Sequence, residues 1–78
     1  MITNIEIKEK LQEVFADNGL EIFDGEDDFQ LEMDSLRFIA IVVAIENAFS
    51  IEVPDEYLSD RILSSFHDFY DMAINLLN

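Results

Sequence analysis

The 78-residue sequence contains no cysteine and no tryptophan, and it has only one proline, two glycines and four basic residues. Without cysteine, neither a disulfide framework nor a thiolate metal site can stabilise so short a chain. A chain of this length lies near the lower limit for a self-sufficient core, so its stability depends on packing apolar side chains. Half of the residues are hydrophobic and seven are phenylalanine. We therefore expect residues 1–78 to form one small folded domain rather than a disordered acidic tail.

Basic residues are outnumbered by eighteen Asp and Glu residues, which gives a formal net charge of −14. This charge makes nucleic acid and anionic membrane surfaces poor partners, and it attracts proteins that carry basic patches. The first residues, MITNIEIKEK, lack the basic and then apolar segments of a signal peptide. The apolar run over 36–45 is too short to span a bilayer. We expect a cytoplasmic protein that acts as a monomer.

Helical periodicity predicts a first helix that is followed by a long loop. Thr3 and Glu6 fit a capping box at the start of this helix, and Asn18-Gly19 is a stop signal at its end. The loop over 20–33 contains the acidic turn DGEDD at 24–28, which lacks the spacing of a calcium-binding loop. No metal site is therefore expected. Four apolar residues are expected to anchor this loop to the core: Ile22, Phe23, Phe29 and Leu31.

Three further helices are predicted after this loop. Asp34 or Ser35 can cap a second helix that runs to about Phe49. Asp55 is the expected N-cap of a brief third helix, and Ser65 with Asp68 fits a capping box for the last one. The sequence therefore predicts an all-α fold, a small four-helix bundle with three main helices and a short third one. Residues of the last helix expected in the core are Phe66, Phe69, Tyr70, Ala73, Ile74 and Leu77.

The second helix is apolar on two sides. At 100° per residue one side is an ordinary core stripe, formed by Phe38, Ile41, Val42, Ile45 and Phe49. The opposite side carries Leu36, Ala40 and Val43, with Ile39 on its flank. Because so small a bundle cannot bury both sides, the second stripe predicts a partner surface or walls for an apolar group bound between helices. The alternative is that the loop over 20–33 covers part of it.

Ser35 is the polar residue at the entrance to this apolar helix. A hydrolytic serine needs a base and an oxyanion hole, but His67 is the only histidine and no G-x-S-x-G motif is present. His67 is expected on the polar surface of the last helix, so no catalytic residue is predicted. A helix start favours a bound phosphate group. Ser35 is therefore either a simple cap or a serine that is modified.

Asp34-Ser35-Leu36, the apolar helix that ends at Phe49 and the following segment IEVPDEYL resemble the acyl carrier protein family over essentially the whole chain. Members of this family are small acidic four-helix domains with Asp-Ser-Leu at the start of the second helix. The resemblance implies that Ser35 carries 4′-phosphopantetheine, attached from coenzyme A by a separate phosphopantetheinyl transferase. The thiol of this arm would hold acyl groups as thioesters, so the protein would be a carrier and not an enzyme.

The resemblance also implies a set of partners. These are acyl-loading, condensing and acyl-transfer enzymes with basic docking patches, in fatty acid, polyketide or related biosynthesis. Asp34 would orient the site and meet a basic partner, and Arg37 would either pair with Asp34 or contact the phosphodiester on Ser35, of which we favour the second. The residues expected to bind the cofactor are Ser35, Asp34, Leu36 and Arg37. Those expected to contact partners are Asp34, Leu36, Ile39, Val43 and Glu46.

The sequence departs from the family pattern around Ser35. Glu32 occupies the position that is commonly glycine, and the exposed face of the second helix offers Arg37, Ala40 and Asn47 where fatty acid carriers usually have carboxylates. These differences leave open an aminoacyl or peptidyl carrier of a specialised pathway. A more distant alternative is an unmodified interaction domain.

Overall fold

A computed structural model of the chain describes residues 2–23, 25–59 and 61–77. Its elements are helix α1 (Asn4–Asp17), helix α2 (Ser35–Phe49), a single 3-10 turn (Asp55–Tyr57) and helix α3 (Phe66–Leu77). The predicted all-α fold with three main helices is confirmed, and the short third helix is this one 3-10 turn. None of the helices in the described part of the chain is long and apolar enough to cross a membrane.

Helix α1 begins and ends where its sequence predicts. The Thr3 hydroxyl accepts the Glu6 N–H at 3.2 Å, and the Glu6 carboxylate accepts the Thr3 N–H at 3.2 Å, which confirms the capping box. Gly19 has a φ of 85°, a left-handed conformation that favours glycine. It reverses the chain so that the Leu20 N–H donates to the Phe15 carbonyl at 2.8 Å. This bond satisfies one of the carbonyls left free at the helix end.

The core lies where α1 packs against α2 and α3. Phe15 is fully buried, and its ring makes edge contacts with Phe66 and Phe69 at centroid distances of 5.2 and 5.1 Å. In α3 the predicted Phe66, Phe69 and Ala73 are buried. Met72, which the periodic pattern left out, is also buried. The buried apolar residues of the described chain are Ile7, Leu11, Val14, Phe15, Ile41, Val42, Ile45, Phe49, Val53, Leu63, Phe66, Phe69, Met72 and Ala73.

The loop between α1 and α2 is attached to the bundle differently from the prediction. Ile22 and Leu31 are half-buried against the core, as expected. Phe23 and Phe29 are each 62% exposed, so the expectation that they anchor the loop is wrong. Asp24, the first residue of the predicted acidic turn, lies outside the described residues.

Polar contacts, and not the two phenylalanines, attach this loop to the bundle. Asp27 forms an ion pair with Lys8 of α1 at 2.9 Å, and its backbone carbonyl accepts the His67 N–H of α3 at 2.8 Å. Further along, the Leu31 N–H donates to the Ser64 carbonyl at 2.7 Å. A loop that is fixed by backbone and carboxylate contacts on both sides does not need its aromatic rings in the core.

The connection from α2 to α3 differs from the prediction at one position. Pro54, and not Asp55, is the N-cap of the 3-10 turn, and no side chain caps it. The physical reason is that proline fixes φ near −60° and supports the extended backbone that precedes a helical turn. The Ser65–Asp68 capping box is confirmed, because the Ser65 hydroxyl accepts the Asp68 N–H at 3.2 Å and the Asp68 carboxylate accepts the Ser65 N–H at 3.0 Å.

Candidate functional site

Asp34 determines where α2 begins. Its backbone is extended, with φ −79° and ψ 173°, and its Oδ1 accepts the Arg37 N–H at 2.8 Å. Its backbone carbonyl accepts the Phe38 N–H at 3.0 Å and so begins the helical ladder. Of the two candidate caps, Asp34 and Ser35, Asp34 is therefore the one that caps α2. Its carboxylate also lies at the positive end of the helix dipole.

Ser35 is the first residue of α2 and is exposed. Within the described ranges its hydroxyl makes no hydrogen bond. The N–H groups of Ser35 and Leu36 belong to the first helical turn and have no acceptor inside the helix. An uncommitted hydroxyl beside free N–H donors at a helix start can carry a negatively charged phosphate group.

The Ser35 hydroxyl makes no hydrogen bond to a histidine within the described residues. His67 is exposed on α3, as predicted, and its Nε2 lies 3.1 Å from the Asp71 carboxylate one turn later. The backbone N–H of His67 donates to the Asp27 carbonyl of the long loop. Within the described residues the serine–histidine pair that was considered from the sequence is therefore not observed.

A groove of about 730 Å³ opens beside Ser35. Its walls come from the first turns of α2, from the end of the long loop and from the segment that precedes α3. Apolar and polar side chains contribute to it, and Lys, Arg and His do not. The groove is lined by Gln30, Leu31, Glu32, Met33, Asp34, Ser35, Phe38, Ile39, Leu58, Ser59, Leu63 and Ser64.

The two sides of α2 are separated as the sequence predicts. Ile41, Val42, Ile45 and Phe49 are buried. Phe38 is half-buried, with its ring centroid 6.0 Å from that of Phe69. On the other side Leu36 is 82% exposed, Ile39 49% and Val43 46%, and Ala40 is also exposed. The long loop therefore leaves this second stripe open.

The open stripe continues into a second groove, of about 620 Å³, between α2 and the 3-10 turn. Ile39 and Leu58 line both grooves and so connect them. Leu58 is 38% exposed and was not among the residues expected to bind the cofactor or partners. Its only signal is an apolar residue directly after the turn-forming segment PDEY. The residues of this groove are Ile39, Val42, Val43, Glu46, Glu52, Val53, Pro54, Asp55 and Leu58.

Glu46 has a structural contact at the edge of this groove. It is half-buried, and its Oε2 accepts the Val53 N–H at 2.8 Å. The bond ties the last turns of α2 to the chain that leaves the helix. The expected role of Glu46 in docking is a separate matter and stays a prediction.

Arg37 extends away from Asp34 toward the end of α1. A Cβ atom placed on Gly19 would lie 3.8 Å from Arg37 Nη2, so the guanidinium lies against this glycine. Across the described chain Arg37 forms no ion pair, so its pairing with Asp34 is not observed. The last turn of α1 has no basic residue of its own, and a guanidinium favours the negative end of a helix dipole. Contact with a phosphodiester on Ser35 stays a prediction.

Carboxylates in the parts of the chain that the structure describes do not converge on a metal site, since no group of three or more candidate ligands is found there. Asp27 Oδ1 is buried without a partner, but the other oxygen of this carboxylate is paired with Lys8.

Comparison with protein families gives a match over most of the chain. A family model described as "Phosphopantetheine attachment site" matches residues 6–72. The matched range contains the start of α2, Ser35 and all residues that line the two grooves. No solved structure matches the chain.

Proposed function

The chain belongs to the phosphopantetheine attachment site family, whose domains carry covalently attached 4′-phosphopantetheine, and we propose that Ser35 is the attachment residue of an acyl carrier protein. The observation that carries this proposal is the position of Ser35. Its hydroxyl is exposed and uncommitted at the first residue of α2, at the mouth of a groove. Asp34 performs the capping, so modification of Ser35 leaves the cap of the helix in place.

Attachment is a transfer reaction in which coenzyme A is the second substrate. Ser35 Oγ bonds to the phosphorus that bears the pantetheine, and the bond from this phosphorus to the bridging oxygen of the pyrophosphate breaks. The nucleotide leaves as 3′,5′-ADP with the electron pair of that bond, and the hydroxyl proton passes to the base supplied by the transferase. The chain contributes the hydroxyl, and the free N–H groups of Ser35 and Leu36 stabilise negative charge next to it.

The proposed protein is a carrier and not an enzyme. The attached group supplies a thiol that holds cargo as a thioester. The residues around Ser35 position this group, because the dipole of α2 and the rigid cap at Asp34 fix the point from which the arm extends. Phe38, Ile39, Leu58 and Leu63 give the adjacent groove an apolar wall that suits an acyl chain.

Two cargo classes fit this site. Acyl groups of fatty acid, polyketide or related biosynthesis are supported by the apolar wall of the groove. An aminoacyl or peptidyl cargo is the second candidate, because the exposed face of α2 carries no carboxylate between Asp34 and Glu46. This face therefore differs from the acidic face expected of a fatty acid carrier. A loading assay with acyl and aminoacyl donors separates the two classes.

Carrier domains of this family interact with a phosphopantetheinyl transferase and with biosynthetic enzymes. We propose that these partners bind the open side of α2. Leu36, Ile39 and Val43 supply its apolar centre, and Asp34 and Glu46 supply acidic contacts at either end. An apolar centre with a charged rim is the usual anatomy of a protein interface.

The test of the attachment residue is intact mass after incubation with coenzyme A and a broad-specificity phosphopantetheinyl transferase. The unmodified chain should gain the mass of one phosphopantetheine group, and Ser35→Ala should gain none. Ser50→Ala, at the other end of α2, is the matched control and should be labelled like the parent chain. No gain in the parent chain, or a gain that survives in Ser35→Ala, contradicts the proposal.

Measuring the stability of Ser35→Ala distinguishes a loss of attachment from a loss of folding. Because Asp34 and not Ser35 caps α2, Ser35→Ala should change the free energy of unfolding by less than about 0.5 kcal/mol. Urea denaturation followed by circular dichroism measures this difference.

A further inference from the structure

Phe23 and Phe29 lie outside the core on the long loop, although a chain of this length depends on buried apolar side chains for its stability. Each is 62% exposed, whereas the other five phenylalanines are buried or half-buried. Neither ring lines the groove beside Ser35 or the groove at the 3-10 turn. Exposed large aromatic side chains in an ordered segment are characteristic of binding surfaces.

The backbone around these two rings is organised by Glu26. The Glu26 N–H donates to the Phe23 carbonyl at 3.1 Å, and the Phe23 N–H donates to Glu26 Oε1 at 3.0 Å. The Phe29 N–H then donates to the Glu26 carbonyl at 3.1 Å. Two successive turns that share one residue therefore present both rings.

This pair of turns is fixed to the bundle. Asp27, between the two rings in sequence, is held by the Lys8 ion pair and by the His67 N–H. Leu31, two residues after Phe29, donates its N–H to the Ser64 carbonyl. The rings are thus presented from an anchored segment, which lowers the entropy that a partner must overcome on binding.

The charge around the rings indicates the chemistry of the partner. Residues 20–33 include no Lys, Arg or His, and exposed carboxylates at Glu21, Asp28 and Glu32 flank the phenylalanines. A second copy of this chain would bring two net charges of −14 together, which opposes self-association. The complementary surface is an apolar pocket rimmed by basic residues.

We propose that Phe23 and Phe29 form an aromatic docking site for the phosphopantetheinyl transferase, in addition to the open side of α2. This inference rests on the proposed function of Ser35. A transferase that presents coenzyme A must bind a pyrophosphate and a 3′-phosphate, so basic groups surround the mouth of its site. Those groups complement the carboxylates that flank the two rings.

The loop is close enough to Ser35 for one enzyme to contact both. Ser35 is six positions after Phe29 in the sequence, so at most about 20 Å separates their Cα atoms. A standard interface covers about 800 Å² of each partner, a patch roughly 30 Å across. The whole chain measures only 33 × 29 × 20 Å. One interface of this size can therefore include both Ser35 and Phe29.

The experiment measures transferase kinetics with the concentration of the apo chain varied and coenzyme A saturating. Phe23→Ala/Phe29→Ala should raise KM for the chain about ten-fold with kcat nearly unchanged, because the rings act in docking and not in transfer. Phe29→Ala alone should raise KM about three-fold and serves if the double variant does not fold. Ile5→Ala is the matched control, since Ile5 is an exposed apolar residue on α1, and its KM should equal that of the parent chain.

The outcomes separate this inference from the proposed function. An unchanged KM in the phenylalanine variants, with normal labelling of the parent chain, overturns the aromatic docking site alone. An equal rise in KM for Ile5→Ala also overturns it, since the effect would then be a general one of surface apolar residues. Failure to label the parent chain overturns the function of Ser35 and with it this inference.

Discussion

At the residue scale, Asp34 and Ser35 divide two tasks that one residue could not perform together. An N-cap must give its side-chain oxygen to a backbone N–H of the first turn, and Asp34 Oδ1 does so for Arg37. If Ser35 were the cap, its hydroxyl oxygen would be committed to the helix. One position later, the hydroxyl stays at the helix start but is not needed to hold it. This arrangement explains why an acidic residue directly precedes the proposed attachment residue.

Asp68 caps the start of α3, and its hydrogen bonds there also change its pKa. Burial raises the pKa of this carboxyl, but hydrogen bonds from the backbone and hydroxyl groups of Ser64 and Ser65 lower it more. The pKa of Asp68 therefore lies below its ordinary value of 3.8. Its oxygen Oδ2 accepts from the Ser64 N–H and hydroxyl at 3.1 and 3.0 Å and from the Ser65 N–H at 3.0 Å.

This lowered pKa predicts a pH-dependent contribution to stability. Since the pKa is lower in the folded state, the unfolded state binds protons first as the pH falls. The contribution of Asp68 is therefore complete above pH 3.8 and is lost as the pH falls through the lower, folded-state pKa. Asp68→Ala should lower the free energy of unfolding by about 1 kcal/mol at neutral pH, and this difference should shrink in acid.

Urea denaturation at a series of pH values measures this difference. The experiment needs dilute protein because the isoelectric point is about 4.1. Glu32→Ala is the control for removing one negative charge, because Glu32 is exposed and is not a capping residue. A difference between the parent chain and Asp68→Ala that stays constant down to the lowest pH would rule out this account.

At the element scale, α2 depends on the chain that follows it. Ser50 ends the helix with a φ of 56°, and the backbone then extends to the buried Val53. Glu46 accepts the Val53 N–H and so holds this segment against α2. The contact also positions the 3-10 turn beside the helix, which creates the second groove.

Substitutions of Glu46 should distinguish this structural contact from a docking contact. Glu46→Ala leaves the N–H of a buried residue without its acceptor and should lower the free energy of unfolding by about 1–3 kcal/mol. Glu46→Gln keeps an acceptor oxygen and removes the charge, so it should change stability by less than about 0.5 kcal/mol. Chemical denaturation measures both values.

The same pair of variants tests docking. If Glu46 also contacts partners through its charge, both variants should weaken transferase binding equally, although only Glu46→Ala is destabilised. An equal loss of stability in the two variants would show that the charge, and not the hydrogen bond to Val53, holds the segment.

At the scale of the whole molecule, most of the few basic side chains make contacts within the bundle. Lys8 pairs with Asp27, and Lys10 lies 5.3 Å from the centre of the Phe49 ring. The Arg37 guanidinium lies against Gly19. The surface that remains is strongly acidic, so repulsion between carboxylates opposes the compact state.

This repulsion predicts a salt-dependent melting temperature. Raising sodium chloride from about 0.01 M to about 0.15 M shortens the screening length from about 30 Å to about 8 Å. We expect the melting temperature to rise by roughly 5 °C, which for a domain of this size corresponds to about 1 kcal/mol. Magnesium chloride should also raise it. Differential scanning calorimetry measures the change.

The control for the salt effect is a chain with fewer charges. Glu9→Gln/Glu13→Gln removes two exposed carboxylates of α1, so this variant should melt higher at low salt and gain less on addition of salt. A melting temperature that does not change with salt in the parent chain would contradict the role of self-repulsion.

The features of the fold that depend on local spacing were predictable from the sequence. The capping boxes at Thr3 and Ser65 and the stop at Gly19 each involve residues within a few positions of one another. The burial pattern of α2 followed from its helical period alone. One domain over residues 1–78 and the monomeric state stay predictions.

The sequence by itself determined the helices, the acidic surface and the serine at the start of α2, because each of these depends on composition or on contacts a turn apart. Only the tertiary structure decided the exposure of Phe23 and Phe29, the turn of Arg37 toward Gly19 and the contact of Glu46 with Val53. The physical reason is that each of these depends on a contact with another segment of the folded chain, which helical spacing does not specify. Lys8 and His67 hold the loop through Asp27 while its phenylalanines stay exposed, and no local pattern in the loop contains that information.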